Sequence, residues 1–245
     1  MNPALGQTRA TRELTHLLQT PDTFVRTPLP GLVGGEAVIH CAPALGARFL
    51  QYTAEINPKG KLMPSAHQRF LYLLEGSAAI IGPSIDKTVR AGAFAYMPPW
   101  QPTTFIANTS CRCAVIEKRY EELPGVPLPD AFVGTEPAIP AQPLNGDPNL
   151  LVRSLLPANF AFDFAVNTMT YAPGAALSQV EVHVMEHGLL MLSGSGPYLL
   201  GDTKYQVESG DFIWMAPFCP QWFQADAAGP AKYLIYKDFN RVPAL

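Results

Sequence analysis

Short apolar runs separated by turn residues characterise this chain from residue 36 onward. The runs are rich in β-branched and aromatic residues, and glycine or proline stands between most of them. This rhythm of short strands and tight turns is typical of an all-β protein. In the first half of the chain the pattern predicts strands at residues 37–41, 47–56, 70–74, 77–81, 88–89, 93–97, 103–107 and 114–117.

The apolar pattern is interrupted twice. Residues 1–35 are polar with scattered proline and glycine, and only residues 13–18 hint at a helical turn, so we expect an N-terminal extension. Residues 122–149 are proline-rich and too irregular for a core, which predicts a linker between two domains. The predicted domains therefore span residues 36–121 and residues 150–245. In the second domain, strands are predicted at residues 150–155, 163–171, 180–184, 188–192, 198–200, 211–215, 221–224 and 232–236.

The second predicted domain repeats the first. A constant shift of 118 residues places Leu73 on Met191 and residues 92–97 on residues 210–215. The aligned positions share aromatic residues and a methionine, so chance agreement between glycines does not explain the match. One register kept over this span predicts two copies of the same β unit.

The densest group of potential metal ligands lies in the second copy. Glu181, His183 and His187 stand at positions i, i+2 and i+6. Side chains alternate between the faces of a strand, so even offsets predict that all three project from one face. The apolar residues around them favour a buried strand at residues 180–184. A single strand histidine is often a core residue, but three such ligands would be costly to bury without a cation, which predicts a metal site.

The first copy lacks these ligands. The shift places Met63, Ser65 and Arg69 opposite the three candidates, and Thr103 opposite Gln221. We therefore expect the first copy to be a structural partner and the chain to bind one metal ion.

Composition limits the partners that the chain can have. The net charge is −3, the charged fraction is 15%, and no basic run is present, which argues against a nucleic-acid partner. The four cysteines show neither CxxC spacing nor a dense framework, so disulfides are not implied. No leader-like or membrane-spanning apolar run is found, which predicts a soluble cytoplasmic protein without a membrane partner.

The ligand spacing resembles two motifs of the cupin family. The first is Glu181-x-His183-x3-His187-x6-Gly194, and the second ends at Gln221. In cupins such motifs supply metal ligands inside a small jelly-roll barrel. This chain departs from the general pattern because glutamate replaces the first histidine, histidine replaces the glutamate, and glutamine replaces the last histidine. The resemblance implies an all-β bicupin, with two jelly-roll β-barrels in tandem.

A longer set of motifs resembles the (S)-ureidoglycine aminohydrolase family. The motifs read Glu-x-His-x3-His-Gly, Leu-Ser-Gly-x-Gly-x-Tyr, Gly-Asp-x-Ile-x-Met, Cys-Pro-Gln-Trp and Tyr-x-x-Tyr-Lys-Asp-x-Asn-Arg. The resemblance covers both copies and is weakest before residue 35 and in the linker. It implies a homo-oligomeric enzyme that releases ammonia from (S)-ureidoglycine to give (S)-ureidoglycolate in allantoin and purine breakdown.

The resemblance also implies which residues form the site. The implied ligands of one Mn²⁺ per chain, in the C-terminal barrel, are Glu181, His183, His187 and Gln221. The implied substrate-binding residues are Tyr198, Tyr233, Lys237 and Gln221. The implied catalytic residues are Lys237 and Glu181.

These side chains suit the implied chemistry. One carboxylate, two imidazoles and an amide oxygen favour Mn²⁺ or Fe²⁺ over a closed tetrahedral zinc site. Four protein ligands on a six-coordinate ion leave two positions for a small substrate, and no redox step is required. Lys237 would bind the substrate carboxylate or donate a proton to the leaving amine, although a lone lysine at a strand end is more often solvated. Tyr198 and Tyr233 lie in apolar runs and would otherwise be assigned to the core.

Two other functions fit a bicupin. One is a non-catalytic protein that binds a small metabolite, and the other is a cupin dioxygenase that uses iron at a site with open positions. The fold does not separate them, because cupins host many functions. Dependence of turnover on oxygen would indicate the dioxygenase, and a complete absence of bound metal would indicate the binding protein.

Overall fold

The computed structural model describes residues 7–241, and β-strands dominate it. In chain order the strands up to the middle of the chain are β1 (Thr11–Arg12), β2 (His16–Gln19), β3 (Arg26–Thr27), β4 (Leu32–Cys41), β5 (Leu50–Leu62), β6 (Gln68–Glu75), β7 (Ser77–Gly82), β8 (Ile85–Arg90), β9 (Ala93–Met97), β10 (Thr104–Ala107), β11 (Cys111–Lys118) and β12 (Phe132–Thr135). The remaining strands are β13 (Gln142–Leu144), β14 (Asp147–Ser154), β15 (Phe164–Tyr171), β16 (His187–Ser193), β17 (Ser195–Leu200), β18 (Thr203–Glu208), β19 (Phe212–Met215), β20 (Gln221–Phe223) and β21 (Ala231–Asp238). Short 3-10 helices lie at Pro21–Thr23, Pro43–Leu45 and Glu136–Ala138. The prediction of an all-β bicupin is confirmed.

The described residues form two compact units. The N-terminal unit consists of residues 25–139 and 159–163. The C-terminal unit consists of residues 7–24, 140–158 and 164–241 within the described part of the chain. In this part of the chain no helix has the length and apolar character needed to cross a membrane.

The N-terminal unit is an antiparallel sheet around an apolar core. Its strands follow the order β12-β9-β6-β11-β5-β10-β7-β8, and β4 pairs with β3 and β5. On β5 the alternate residues Tyr52, Ala54 and Ile56 are buried in the core, where they join Leu71 and Leu73 from β6. The period of two that predicted strands therefore also selects the residues that face the core.

The C-terminal unit repeats this plan. Its larger sheet has the order β1-β2-β19-β16-β21-β15-β14-β13, and its smaller sheet has the order β18-β17-β20. The core includes Leu189, Met191, Ile213 and Phe223. The repeat is visible in the pairing register, because Leu71 faces Ala95 in the first unit and Leu189 faces Ile213 in the second. These pairs are related by the same shift of 118 residues that the sequence shows.

Residues 7–24 form part of the C-terminal unit. The sequence predicted a helical turn at residues 13–18, and this prediction is wrong, because β2 pairs antiparallel with β19. Alternate residues of β2 are buried, and Leu18 lies in the core of this unit. Pairing with β1 on one side and β19 on the other satisfies the backbone groups of β2 and buries Leu18, which a short isolated helical turn would not do.

The proline-rich residues 122–149 are partly regular. β12 pairs with β9 in the N-terminal unit, whereas β13 pairs with β14 in the C-terminal unit. The chain passes from one unit to the other after residue 139. Proline is compatible with such edge strands because an outer strand has one side without ladder hydrogen bonds.

Residues 159–163 belong to the N-terminal unit although they follow β14 in sequence. Asp163 is fully buried there and accepts hydrogen bonds from Gln68 Nε2 at 2.6 Å and Lys118 Nζ at 2.9 Å. The backbone N–H of Glu121 donates a third hydrogen bond to Asp163 at 2.9 Å. A buried carboxylate is tolerated only when it is paired in this way, so these contacts account for the position of the segment.

Candidate metal centre in the C-terminal unit

Glu181 and Gln221 are brought side by side by the backbone. The N–H of Glu181 donates to the carbonyl of Gln221 at 2.8 Å, and the N–H of Gln221 donates to the carbonyl of Glu181 at 3.0 Å. This reciprocal bridge is the pairing of two directly opposed antiparallel residues. Residues far apart in sequence therefore present neighbouring side chains.

His187 is the first residue of β16 and is buried in the sheet. It pairs with Met215 on β19 and with Lys237 on β21. Its Nδ1 lies 3.2 Å from the carbonyl oxygen of Tyr236, which can accept only if Nδ1 carries the proton. Burial lowers the pKa of His187 to about 3, and the nearby His183 and Lys237 act in the same direction. The neutral ring therefore keeps the Nε2 lone pair for a ligand bond, as in many metal sites.

His183 lies in a loop, and the strand predicted at residues 180–184 is wrong. The chain has a single bridge at Glu181 and enters a strand only at His187. Val182 is 57% exposed, where the sequence predicted a buried side chain. The physical reason is that the ladder pairing of this stretch is limited to one bridge, between Glu181 and Gln221, while the N–H of Phe218 donates to the His183 carbonyl at 2.8 Å and holds the loop.

The other three predicted ligands lie around Nε2 of His183. His183 Nε2 lies 3.3 Å from His187 Nε2, 2.9 Å from Gln221 Nε2 and 3.9 Å from Glu181 Oε2. Two nitrogen ligands bound at right angles, each about 2.1 Å from an ion, would be about 3 Å apart. The separation of the two imidazole nitrogens is close to this value, and the donor set is the mixed N and O set that Mn²⁺ accepts.

The four predicted ligand side chains converge only partly on a common point. In residues 7–241 no three side chains of the His, Cys, Asp and Glu types form a group that could hold a metal ion. The fourth predicted ligand is a glutamine, and Glu181 is the most distant of the donors from His183 Nε2. His183 Nδ1 is buried with no hydrogen-bond partner among the described residues. The fit to a metal therefore rests on the convergence of the two histidines and on the chemistry of the donor set.

The amide of Gln221 has a defined hydrogen-bond pattern. Tyr198 Oη donates to Gln221 Oε1 at 3.3 Å, which leaves Gln221 Nε2 facing His183. An amide nitrogen has no lone pair to offer a metal, so ligation requires the oxygen on that side. A half turn of the amide satisfies this requirement and allows the NH₂ group to donate to Tyr198 Oη instead.

Lys237 lies on β21 directly across the ladder from His187. Burial lowers the pKa of Lys237, and Glu181 opposes the effect because its negative charge favours the ammonium form. The lysine Nζ lies 5.7 Å from the centre of the Phe239 ring. Lys237 is thus a partly desolvated cation within electrostatic reach of a predicted metal ligand.

Tyr198 and Tyr233 are fully buried in the core of the C-terminal unit. Burial raises the pKa of both phenols well above the usual value, so both are neutral hydrogen-bond donors. The sequence did not single out Tyr171, whose hydroxyl lies 2.7 Å from that of Tyr233. No sequence signal marks Tyr171, since an aromatic residue in a strand normally indicates packing.

The N-terminal unit has an ion pair at the corresponding place. Arg69, at the position of His187, pairs with Glu117 at 2.9 Å inside the barrel. Tyr52 and Ser65 each donate to the Glu117 carboxylate at 2.8 Å. Burial acts to raise the pKa of Glu117, but Arg69 and these hydrogen bonds outweigh it and lower the pKa. A guanidinium group thus supplies a positive charge where the other unit has its candidate metal site.

The N-terminal strand segment also supports the site region. The N–H of Ala216 donates to the Thr15 carbonyl at 2.9 Å, just before the loop that leads to Gln221. His16 Nε2 lies 3.0 Å from Tyr205 Oη, and Arg9 forms an ion pair with the fully buried Asp211. The sequence pattern predicted only an extension at residues 1–35, because pairing of an N-terminal strand with a strand late in the chain leaves no local pattern.

Known proteins resemble this chain over nearly its whole length, although no protein-family model matches it. A probable (S)-ureidoglycine aminohydrolase of Oryza sativa subsp. japonica is 37% identical over 245 residues, which cover 98% of this chain and 78% of the relative. The (S)-ureidoglycine aminohydrolase of Arabidopsis thaliana is 37% identical over 243 residues, which cover 97% of this chain and 80% of the relative.

Two solved structures show the same fold. A putative glyoxylate-induced protein from Pseudomonas aeruginosa has a TM-score of 0.90 and 29% identity, with 100% of this chain and 95% of that chain covered. Bacillus subtilis oxalate decarboxylase, described with Mn(II) centres, has a TM-score of 0.72 and 12% identity, with 96% of this chain and 80% of that chain covered. At this identity the second likeness concerns the fold alone.

Proposed function

This chain belongs to the (S)-ureidoglycine aminohydrolase family, and from that premise we propose that it hydrolyses (S)-ureidoglycine in purine breakdown. Water adds at the carbon that bears the amine, the bond from that carbon to the amine nitrogen breaks, and the products are ammonia and (S)-ureidoglycolate. The observation that carries the proposal is the 37% identity to the rice relative over 98% of this chain. The convergence of the motif residues in the C-terminal unit supports it.

We propose that Glu181, His183, His187 and Gln221 hold one Mn²⁺. Their carboxylate, imidazole and amide groups form a mixed set that suits this ion better than a closed zinc site. When bound, the ion would orient the substrate through two adjacent donors and stabilise developing negative charge. The neutral state of His187 and its hydrogen bond to the Tyr236 carbonyl support this role.

Lys237 is the proposed proton donor to the departing amine. Protonation makes the leaving group ammonia instead of an amide anion, which is far too basic to leave. Glu181 assists because its charge favours the ammonium form of Lys237, in addition to its proposed bond to the ion. Tyr198 and Tyr233 are the proposed partners of the ureido group, since buried neutral phenols donate directional hydrogen bonds.

The N-terminal unit has a structural role in this proposal. Its interior at the corresponding position is occupied by Arg69 and Glu117, which neutralise one another. The homo-oligomeric state and the cytoplasmic location that the family resemblance and the composition imply stay predictions.

The function is tested with fresh (S)-ureidoglycine and protein loaded with Mn²⁺. Ammonia release above the spontaneous rate, equal in air and under nitrogen, with (S)-ureidoglycolate as product, is the expected result. Turnover that stops without oxygen would favour a cupin dioxygenase. Protein that binds Mn²⁺ but leaves the spontaneous decay unchanged would contradict the proposal.

We predict about one bound metal ion per chain, because only the C-terminal unit carries the ligand set. Elemental analysis of purified protein, saturated with Mn²⁺ and then dialysed, measures this number. The Ser65→Ala variant, at the position opposite His183 in the N-terminal unit, is a matched control and should keep the same metal content. Two ions per chain in the wild type would contradict the assignment of the first unit as structural.

A further inference from the structure

Tyr171 and Tyr233 form a buried pair of phenols in the core of the C-terminal unit. They lie on the adjacent strands β15 and β21, where Tyr233 faces Met169 and Tyr171 faces Ala231. The two tyrosines are therefore diagonal neighbours on the same side of the sheet. Their exposed fractions are 0% and 2%, and their hydroxyl oxygens are 2.7 Å apart. This separation is that of a direct O–H···O hydrogen bond.

Aromatic rings surround the pair. Phe223 packs edge-on against Tyr171 at 4.9 Å between ring centres and against Tyr233 at 5.9 Å. It also packs against Tyr198, at 5.4 Å and in a tilted arrangement. These contacts limit the movement of the three phenols and exclude competing solvent, so their hydroxyl groups are held in defined directions.

The two hydroxyls share one hydrogen bond and therefore have one further hydrogen to donate. If the Tyr233 hydroxyl donates to Tyr171, then its oxygen can only accept a hydrogen bond from the substrate. If Tyr171 donates to Tyr233, then Tyr233 keeps its own hydrogen for another group. A phenol that accepts a hydrogen bond is also polarised into a better donor. The ureido oxygen is the strongest neutral acceptor of the proposed substrate, so the second arrangement is the productive one.

We propose that Tyr171 is a positioning residue that orients Tyr233 as the donor to the ureido oxygen of the substrate. The inference rests on the proposed function, and it adds a residue whose hydroxyl acts through a neighbour and does not itself contact the substrate. The metal ligands do not enter the argument, so loss of the Tyr171 hydroxyl should leave the bound metal unchanged.

The Tyr171→Phe variant tests this assignment by a change in KM. Because one neutral hydrogen bond contributes about 1 kcal/mol, we expect KM for (S)-ureidoglycine to rise about three- to tenfold, while kcat changes less than twofold. Metal content by elemental analysis should equal that of the wild type. Tyr96→Phe is the matched control, because it also removes a buried hydroxyl with a hydrogen bond, to Gln68, but in the N-terminal unit. This control should leave KM unchanged.

A double-mutant cycle separates positioning from general destabilisation. In the Tyr233→Phe background, Tyr171→Phe should change kcat/KM less than twofold, because the group through which it acts is already absent. The double variant leaves no orphaned hydroxyl, so it serves as the test even if Tyr171→Phe alone does not fold. Additive effects of the two substitutions would overturn the inference, and so would a normal KM in folded Tyr171→Phe. In either case the proposed function still holds if the wild type is active. A wild type without activity would overturn both.

Discussion

Replacing Lys237 by methionine is expected to lower kcat by about a hundredfold or more while Mn²⁺ stays bound. This is the usual scale for the loss of a positioned general acid or base. Methionine retains an unbranched apolar side chain of similar length, so packing along β21 changes little. The variant is assayed for ammonia release with saturating (S)-ureidoglycine, and its metal content is measured in parallel.

A second substitution of Lys237 distinguishes its two possible contributions. Lys237→Arg keeps the positive charge but donates protons poorly, because a guanidinium group is not deprotonated in proteins. If Lys237 serves only to bind the substrate carboxylate, the arginine variant should recover much of kcat/KM. If it is the proton donor, kcat should stay near that of the methionine variant.

Lys232→Met is the control on the same strand. It lies five positions earlier on β21, an odd offset that places its side chain on the opposite face of the sheet. Its kcat should be within about twofold of the wild type, well short of the general acid or base scale. Near-normal turnover of Lys237→Met would refute the catalytic role of Lys237.

His187→Ala is expected to lose bound Mn²⁺ and to reduce ammonia release to the spontaneous rate. Removal of a group that only hydrogen-bonds to a metal ligand typically costs about tenfold to a hundredfold in metal affinity, so loss of a buried imidazole ligand should exceed about a hundredfold. Gln221→Ala removes a neutral amide oxygen, the weakest of the four donors, and should cost about tenfold. Titration of metal-free protein with Mn²⁺ gives both affinities.

The exposed His67 of the N-terminal unit supplies the control. His67→Ala should bind Mn²⁺ as the wild type does, which shows that an unrelated histidine does not contribute. Thermal unfolding of each metal-free variant should report a folded β protein, because His187 and Gln221 are the first residues of their strands and are not members of the apolar core. Equal loss of affinity in Gln221→Ala and His187→Ala would contradict the ranking of the ligands.

Local patterns in the sequence were sufficient for the fold class and the repeat. Strand periodicity and turn residues depend on neighbouring positions, so they predict an all-β chain without knowledge of strand partners. The shift of 118 residues predicts two equivalent units, and the paired positions Leu71–Ala95 and Leu189–Ile213 confirm it. The same shift identified the unit that carries Glu181, His183 and His187.

Strand pairing between distant residues was decided only by the tertiary structure. The alternation at residues 180–184 predicted a buried strand, but a strand needs continuous pairing with a partner, and this stretch forms a single ladder bridge, between Glu181 and Gln221. β2 was predicted as a helical turn for the same reason. Its partner β19 lies almost two hundred residues later in the chain, as the pairing of Leu18 with Ile213 shows. Hydrogen bonds of β-strands join residues at any separation, so local periodicity shows that a strand can form but not where it pairs.

The polar contacts inside the two barrels were also decided by the tertiary structure. Arg69 and Glu117 form an ion pair, and Tyr171 and Tyr233 form a hydrogen bond, across strands that the sequence does not connect. The sequence by itself determined which residue types are available as ligands and donors in each unit. Which of them meet depends on the register of the sheets, because a shift of one residue would turn each of these side chains to the opposite face.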